Sequence, residues 1–457
     1  MIDQVPQMTS DHLPQEHPLK LVLESSILAS TLRSGAARNG IFRVTDALAQ
    51  GLAAQAQVEL ALWIPDFLDS AMWNGTGALD QYVRSELPGQ RVRLAHRTLS
   101  SIAGWAIPRL QCDTQPFAQA LRGLAGGRMS EIRLRDRLTY RMASLAYRRA
   151  VHWEHGRSKQ LLAWADIYHA TLYTLPEEPP PELTIFINVY DMIPLISPQY
   201  FSSDMVQTFR TAVEAFRPDH WFIAISQHTK TDLCQIAGID PNRVIVALPA
   251  ADSALFHPIH DPAGQRQVLD RLGLPDEPYF LCLNTIEPRK NMRSVIRAFA
   301  ELVRQGEIKG CNLVIVGAEG WKREMALDGQ ETAAELVGRL FFTGPVDDLD
   351  LAPLYSGAVG FVYPSHYEGF GLPVLEAMQC GTPVISSATT SLPEVVGDAG
   401  LLIDPADLDA LAAAMLRLYS EPDLRSDLSA RAVARAAGFS WERFMDQVMD
   451  GYQLALG

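Results

Sequence analysis

The residues that decide the fold are SHYEGFGLPVLE, at positions 365–376. A short apolar strand is predicted just before them, at Val359–Val362, and a helix is predicted from Leu372 onward. A strand, a glycine loop and a helix in this order open an α/β unit. The two glycines let the backbone approach a ligand closely, and Pro373 suits the first turn of a helix. A helix that begins here points free N–H groups and the positive end of its dipole towards an anion.

Similar α/β units recur on both sides of this stretch. Further strands are predicted at Leu19–Leu23, Val58–Ile64, Thr184–Val189, Trp221–Ile225, Arg243–Leu248, Tyr279–Leu283, Asn312–Val316, Leu340–Phe342 and Pro383–Ser386. Helices are predicted at Ile41–Leu52, Met292–Arg304, Leu349–Tyr355, Leu372–Cys380, Leu408–Tyr419 and Ser440–Leu456. Short, nearly continuous apolar runs are typical of parallel strands that are buried on both faces. The sequence therefore predicts an α/β protein with two doubly wound parallel sheets.

The chain has 457 residues, which is more than one ordinary domain contains. A polar segment rich in Pro, Asp and Gly, at 257–278, indicates a linker. The predicted parts are a flexible tail at 1–18, an N-terminal Rossmann-like domain at 19–256 with a basic helical region at about 70–165, the linker, a C-terminal domain at 279–438, and a final helix at 439–457.

Composition excludes several classes of protein. Hydrophobic residues make up 47% of the chain and charged residues 20%, which is globular usage and not that of a disordered chain. No apolar run reaches the roughly 18 residues of a membrane-spanning helix. The net charge of −14 argues against general nucleic-acid binding. The five cysteines are scattered and form no CxxC pair, which predicts neither a disulfide framework nor a zinc cage and fits the reducing cytoplasm.

Polar clusters follow several predicted strands, where ligands of open α/β sheets bind. Arg289 and Lys290 follow Tyr279–Leu283 and suit a diphosphate, although such a pair is also common on solvated turns. Glu368 lies just before the helix, where its carboxylate could accept hydrogen bonds from sugar hydroxyls. Glu376 lies about one turn into the helix, near enough to reach a ribose diol.

No metal site is predicted. Asp348 and Asp350 match a D-x-D pattern, but they open a predicted helix, where the dipole favours acids. Ser391 and Glu394 fit a capping box at the start of a helix, an interpretation at least as good as a role in ligand binding. The 11 histidines show no paired ligand spacing. Neither sheet has GxGxxG after its first strand, which argues against a nicotinamide dehydrogenase.

Four segments together resemble the retaining nucleotide-sugar glycosyltransferases of family 4. They are EPRKN at 287–291, FTGPV at 342–346, YPSHYEGFGLPVLEAMQCGTPVISS at 363–387 and SLPEVVGDAG at 391–400. Glu368 and Glu376 match that family's E-x7-E pair. The resemblance is strong over 279–410 and weaker in the N-terminal half, where Tyr190 stands at a position that is His in many relatives. It implies the GT-B fold of two facing Rossmann-like domains, with a helical insertion in the first and a final helix that crosses back to it.

The resemblance also implies a role for each matched residue. The N-terminal domain would take the acceptor and the C-terminal domain the nucleotide sugar. Glu368, Asp191, Arg289 and Lys290 would form the catalytic group, in which the two cations neutralise the departing diphosphate and Asp191 lies near the anomeric carbon or the acceptor. The donor would be bound by Gly40, Gly317, Val346, Gly369, Phe370, Gly371, Leu372 and Glu376, with Val346 near the base and Glu376 at the ribose hydroxyls.

EPRKN combined with SLPEV resembles bacterial mannosyltransferases of polysaccharide or O-antigen assembly most. The favoured function is therefore metal-independent transfer of mannose from GDP-mannose, with retention, to a polysaccharide, O-antigen or lipid-linked glycan. No cofactor is expected beyond the nucleotide-sugar substrate. Open alternatives are a rhamnosyl or glucosyl donor, a GT-B sugar-nucleotide epimerase, and an inactive scaffold subunit. The expected location is the cytoplasm, with peripheral contact to the inner face of the plasma membrane left open.

That contact is testable because residues 81–160 contain 15 Lys and Arg but 5 Asp and Glu. If Ile132–Trp153 is a helix, one face of it presents four arginines, namely Arg133, Arg137, Arg141 and Arg148. Each basic residue near an anionic bilayer can contribute about 1 kcal/mol. Co-sedimentation should show binding to anionic vesicles that weakens in high salt and when the four arginines become glutamine. Equal binding to neutral vesicles would leave a solvated helix face as the explanation.

Overall fold

The computed structural model describes residues 17–34, 40–64, 75–87, 92–94, 156, 158–284, 287–317 and 336–457. The chain divides into two compact units, Met1–Ile185 and Phe186–Gly457. The predicted basic helix Ile132–Trp153, with Arg133, Arg137, Arg141 and Arg148, lies outside the described residues. Within the described ranges, no helix has the length and apolarity needed to cross a membrane.

The first unit contains a parallel sheet with helices along it. Its strands are β1 (Leu19–Glu24), β2 (Val58–Trp63), β3 (Val92–Leu94) and β4 (Ile167–Ala170), and its helices are α1 (Ser26–Ser34), α2 (Gly40–Ala54) and α3 (Gly75–Glu86). The strand order is β3-β2-β1-β4. Strand β1 is apolar except at Lys20 and Glu24 and is buried at every position but Lys20, as the sequence predicts for a central parallel strand.

The second unit contains two sets of parallel strands. The first set is β5 (Thr184–Val189), β6 (Trp221–Ala224) and β7 (Val244–Val246). The second set is β8 (Tyr279–Leu283), β9 (Asn312–Val316), β10 (Leu340–Gly344), β11 (Gly360–Tyr363), β12 (Val384–Ser387) and β13 (Leu401–Ile403). The second set is ordered β10-β9-β8-β11-β12-β13, so the order reverses between β8 and β11.

Helices connect these strands. They are α4 (Ile193–Ile196), α5 (Ser203–Glu214), α6 (Gln227–Ala237), α7 (Pro262–Arg271), α8 (Met292–Arg304), α9 (Asp348–Gly357), α10 (Leu372–Gln379), α11 (Leu392–Val396), α12 (Leu408–Ser420), α13 (Pro422–Ala436) and α14 (Trp441–Leu456). Helix α8 shows why they form here, because Val295, Ile296, Phe299 and Leu302 recur at helical spacing and are buried against the sheet.

Within the described residues, the predicted strands and helices are confirmed, with shifted ends. Strand β7 is shorter than the predicted Arg243–Leu248, because Pro241–Arg243 form a 3₁₀ turn and the Leu248 N–H donates to the Gln447 side chain at 3.1 Å. Strands β3, β4 and β13 were not predicted, because they are only 3 or 4 residues long. Helix α14 follows Ser440, whose hydroxyl accepts from the Arg443 N–H, and its Tyr452 ring contacts Phe186 of β5 edge-on at 4.8 Å between centroids.

The position directly after β9, Gly317, can hold only glycine without strain. Its φ is 140°, and a Cβ there would lie 2.0 Å from the backbone oxygen of Asn284. Gly317→Ala should therefore lower the free energy of unfolding by about 2–5 kcal/mol, the sum of backbone strain and overpacking. Gly306→Ala is the control, because Gly306 has a φ of 73° and open space around it, and about 1 kcal/mol is expected there. Urea unfolding that ranks the two variants equally would contradict the close approach.

Candidate active site

The candidate site lies in the sheet formed by strands β8 to β13, at the point where the strand order reverses. Strands β8 and β11 pair there, with Phe361 beside Leu281. The turn Pro288–Lys290 follows β8, and the loop that carries Glu368 follows β11. Because the strands are parallel, both segments leave the sheet at the same edge. This is the position at which open α/β sheets bind ligands.

An ion cluster is formed by Arg289, Lys290 and Glu368. The Glu368 carboxylate lies 3.1 Å from Arg289 Nη1 through Oε2 and 2.7 Å from Lys290 Nζ through Oε1. The three side chains are only 12%, 11% and 9% exposed, so all three charges are largely withdrawn from water. Arg289 also pairs with Glu287, and the Tyr363 hydroxyl donates to Glu368 Oε1 at 3.0 Å. The sequence predicts these residues in one site, and the structure brings them together.

The cations control the protonation of Glu368. Burial by itself would raise the pKa of this carboxyl, but Lys290 and then Arg289 outweigh burial and hold its pKa at about 2. Burial lowers the pKa of Lys290 although Glu368 is in contact with it. Burial also acts on Arg289, yet Glu368 and Glu287 raise its pKa above the ordinary value. The three side chains of the cluster are therefore paired and poorly solvated, which strengthens their electrostatic interactions.

Asp191 lies beside this cluster. Asp191 follows the end of β5 by two residues, and its Oδ1 accepts the Ile193 N–H at 3.0 Å. Burial raises the pKa of Asp191, and Arg289 and Glu368 act on it with opposite signs. A Cβ on Gly369 would lie 2.0 Å from the Tyr190 backbone oxygen and 3.1 Å from Asp191 Cβ, so the loop backbone packs directly on this segment. All four predicted catalytic residues thus lie in one neighbourhood.

The predicted donor-binding segment forms the start of α10. Gly371 is its N-cap with a φ of 108°, and Leu372 is its first residue. Phe370 is buried and packs edge-on against Phe439. Glu376 is 3% exposed, and the Tyr355 hydroxyl donates to its Oε2 at 3.1 Å. Tyr355 was not predicted as a partner of Glu376, because the two residues are 21 positions apart.

The remaining predicted donor-binding residues are more dispersed. Gly317 follows β9 directly, and its N–H donates to the Gly344 carbonyl at 3.0 Å. Val346 lies two residues after β10, which ends at Gly344. Gly40 begins α2 in the first unit and is exposed.

Asn284 is a site residue that sequence reasoning missed. It follows β8 directly and is 6% exposed, yet neither its Oδ1 nor its Nδ2 has a hydrogen-bond partner among the residues that the structure describes. A buried amide with no partner is unfavourable by about 1–3 kcal/mol per group and needs an explanation. The signal in the sequence was an amide at the end of an apolar strand, five residues before Arg289.

The predicted capping box is wrong. Ser391 makes no cap hydrogen bond to α11, and its hydroxyl donates to the carbonyls of Glu368 at 2.9 Å and Phe370 at 3.1 Å. The Glu394 carboxylate accepts the N–H groups of Gln227 at 2.8 Å and His228 at 2.7 Å, at the start of α6. A capping box is a local rule, and here contacts more than 160 positions apart take its place.

Asp348 and Asp350 lie in the first turn of α9, as predicted, and Asp350 pairs with Arg271. Over the ranges that the structure describes, no group of three His, Cys, Asp or Glu side chains is placed to hold a metal ion. Four cysteines fall in these ranges, and each is a free thiol.

Residues 266–435, which include the ion cluster, match the family model "Glycosyl transferases group 1". The chain is 34% identical over 289 residues to O-antigen chain mannosyltransferase B of Escherichia coli, covering 63% of this chain and 74% of that protein. The chain belongs to the group 1 glycosyltransferases. It is also 30% identical over 333 residues to the serotype-specific mannosyltransferase WbdA of Escherichia coli, of which it spans 40%.

A solved structure agrees with the fold of this glycosyltransferase. Sucrose-phosphate synthase from Thermosynechococcus elongatus aligns with a TM-score of 0.60 at 20% identity, over 96% of this chain and 99% of that one. The predicted fold class is therefore confirmed as α/β with two parallel-sheet Rossmann-like domains of the GT-B type.

Because of Glu368, the free energy of unfolding should depend on pH in the acid range. Its pKa of about 2 in the folded protein lies below the ordinary value of 4.5, so the stabilisation is complete above pH 4.5 and is lost as the pH falls towards 2. The shift corresponds to about 3 kcal/mol. Glu368→Gln should therefore be less stable than the wild type at neutral pH, and the difference in unfolding free energy should shrink between pH 4.5 and 2. The exposed Glu307→Gln is the control, and a constant difference down to pH 2 would contradict the ion cluster.

Proposed function

We propose that this glycosyltransferase transfers mannose from GDP-mannose, with retention and without a metal ion, to a polysaccharide, O-antigen or lipid-linked glycan. The proposal rests mainly on the buried ion cluster at the reversal of strand order. Arg289 and Lys290 are adjacent cations, and one carboxylate holds both of them in place. A diphosphate carries more negative charge than Glu368 and offers more oxygens, so it suits the same two cations.

The chemistry of transfer needs such a cation pair. The bond between the anomeric carbon and the diphosphate oxygen breaks, and its electron pair leaves with the diphosphate. A bond from the acceptor hydroxyl oxygen to the anomeric carbon forms, and the hydroxyl proton is passed to the departing phosphate. Negative charge therefore accumulates on the diphosphate in the transition state. Fixed cations at that place stabilise it without reorganising, which is the largest contribution in many enzymes.

Glu368 has two tasks in this proposal. Without donor, it keeps Arg289 and Lys290 close together although both are buried. When the diphosphate binds the cations, the carboxylate becomes available to accept hydrogen bonds from the sugar hydroxyls. The low pKa of Glu368 supports this role, because an ionised carboxylate accepts hydrogen bonds through both oxygens.

The unpartnered amide of Asn284 supports a bound nucleotide sugar. Its Nδ2 needs an acceptor and its Oδ1 needs a donor. The oxygens of a diphosphate only accept hydrogen bonds, whereas hydroxyls and nucleobase edges both donate and accept. A ligand that combines a diphosphate with hydroxyls and a base would serve Lys290 and Asn284 together. Mannose is favoured as the sugar because two relatives are mannosyltransferases.

The donor can be tested by thermal shift with GDP, UDP, dTDP and ADP sugars. GDP-mannose should raise the unfolding temperature most, because it is the proposed donor. A ligand at a hundred times its dissociation constant stabilises a protein by about 2.7 kcal/mol. Glu376→Gln should weaken the shift. A larger shift with a UDP or dTDP sugar would replace the donor, and no shift with any of the four classes would contradict the proposed function.

Arg289 should be needed for turnover. Arg289→Ala should lower kcat about 100- to 1000-fold in a GDP-release assay, because one fixed contact to the developing charge is lost. Arg271→Ala, which removes the exposed pair with Asp350, is the control and should keep wild-type kcat. Wild-type turnover by Arg289→Ala would contradict the site.

The same assay in excess EDTA tests metal independence, and transfer should survive the chelator. Activity that needs added Mg²⁺ or Mn²⁺ would contradict the metal-independent mechanism.

A further inference from the structure

The N-terminus of helix α6 is capped by the carboxylate of Glu394, a residue distant in the sequence. The first N–H groups of this helix, on Gln227 and His228, donate to the two oxygens of Glu394 at 2.8 and 2.7 Å. The hydroxyl of Ser226, the N-cap, accepts the next N–H, from Thr229, at 3.0 Å. The negative charge of Glu394 also lies at the positive end of the helix dipole. Glu394 therefore attaches the start of α6 to the start of α11.

Side chains near the start of α6 also contact Tyr367 and Gly369, the two residues that flank Glu368. On one side, the Tyr367 hydroxyl donates to Asp232 Oδ2 and lies 2.8 Å from His228 Nε2. Because the hydroxyl hydrogen points to Asp232, His228 is left to donate to the Tyr367 oxygen. On the other side, the Thr229 hydroxyl lies 3.2 Å from the Gly369 carbonyl.

These contacts fix the loop against the segment that carries Asp191. The Thr229 hydroxyl also lies 3.4 Å from the Tyr190 carbonyl. Gly369 lies so close to Tyr190 that a Cβ would not fit between them. The Tyr367 carbonyl, in turn, accepts a hydrogen bond from Arg289. A displacement of α6 would therefore move the loop, the Arg289 guanidinium and Asp191 relative to one another.

We propose that Tyr367 and Glu394 are positioning residues, which hold α6 on the 367–369 loop and so keep Asp191 beside the Glu368–Arg289–Lys290 cluster. The inference rests on the proposed function, since it assigns these residues to the same transfer site. Neither side chain belongs to the ion cluster. Their effect on transfer is therefore geometric, and a misplacement of about 1 Å in an active site can lower a rate 100-fold.

The test uses conservative variants and matched controls in the full chain. Tyr367→Phe removes one hydroxyl, and Glu394→Gln keeps the size of the side chain but loses one of its two acceptors. Tyr419→Phe is the first control, because its hydroxyl donates to the Lys309 carbonyl at 2.6 Å away from the site. Asp407→Asn is the second control, because this carboxylate caps its own helix, α12, at Ala410 N.

Kinetics of GDP release from GDP-mannose, with methyl α-mannoside as acceptor, give the first measurement. Tyr367→Phe and Glu394→Gln should lower kcat about 10- to 100-fold and change the donor KM less than about threefold. The controls should keep both constants within about twofold. Wild-type kcat in the two variants, with only a lower unfolding temperature, would overturn the proposal. A higher KM with unchanged kcat would also overturn it, because it would make these residues donor contacts.

Hydrogen exchange separates this inference from the proposed function, since it needs no turnover. In both variants the amides of 226–233 and 367–370 should exchange at least tenfold faster than in the wild type, with no change in the controls. Unchanged exchange would overturn the positioning role even if the chain transfers mannose. Faster exchange in a chain that binds no nucleotide sugar would support the contacts and contradict the proposed function alone.

Discussion

The ion pairs of Glu368 with Arg289 and Lys290 are the interaction on which the candidate site depends. Charges removed from water are stable only when they are paired and hydrogen-bonded. The two cations come from the turn after β8 and the carboxylate from the loop after β11, so the pairing ties together two segments 78 positions apart. Removal of the carboxylate would take this partner from the buried Lys290 and leave Arg289 with its pair to Glu287. The same charge arrangement thus stabilises the fold and prepares a binding place for an anion.

Further contacts hold the loop that carries Glu368. The Ser391 hydroxyl bonds to the carbonyls of Glu368 and Phe370, and the Thr390 hydroxyl accepts the Glu368 N–H at 3.2 Å. Thr390 adopts a φ of 57°, which is unusual for a residue other than glycine. Strained backbone and unpartnered buried groups such as Asn284 cluster at functional sites, where local rules are broken and the surrounding structure compensates.

The sequence predicted those features that depend on local chemistry. Apolar runs and helical spacing located strands β8 to β12 and helices α8, α9, α10 and α12, and the carboxyl ends of β8 and β11 located Arg289, Lys290 and Glu368. Contacts between distant segments were not predictable in this way. Glu394 fits a local capping box, yet its carboxylate bonds to α6, because tertiary packing brings free N–H groups within its reach. Asn284 was missed because nothing in its neighbourhood of sequence reveals that its amide lacks a partner.

A crystal structure of the chain with bound GDP-mannose would test the central claim most directly. We predict that diphosphate oxygens lie within hydrogen-bond distance of Arg289 and Lys290, that a sugar hydroxyl replaces one of these cations at Glu368, and that the Asn284 amide gains a partner from the ligand. A donor bound elsewhere, with the Glu368 ion pairs unchanged and Asn284 still without a partner, would contradict the account.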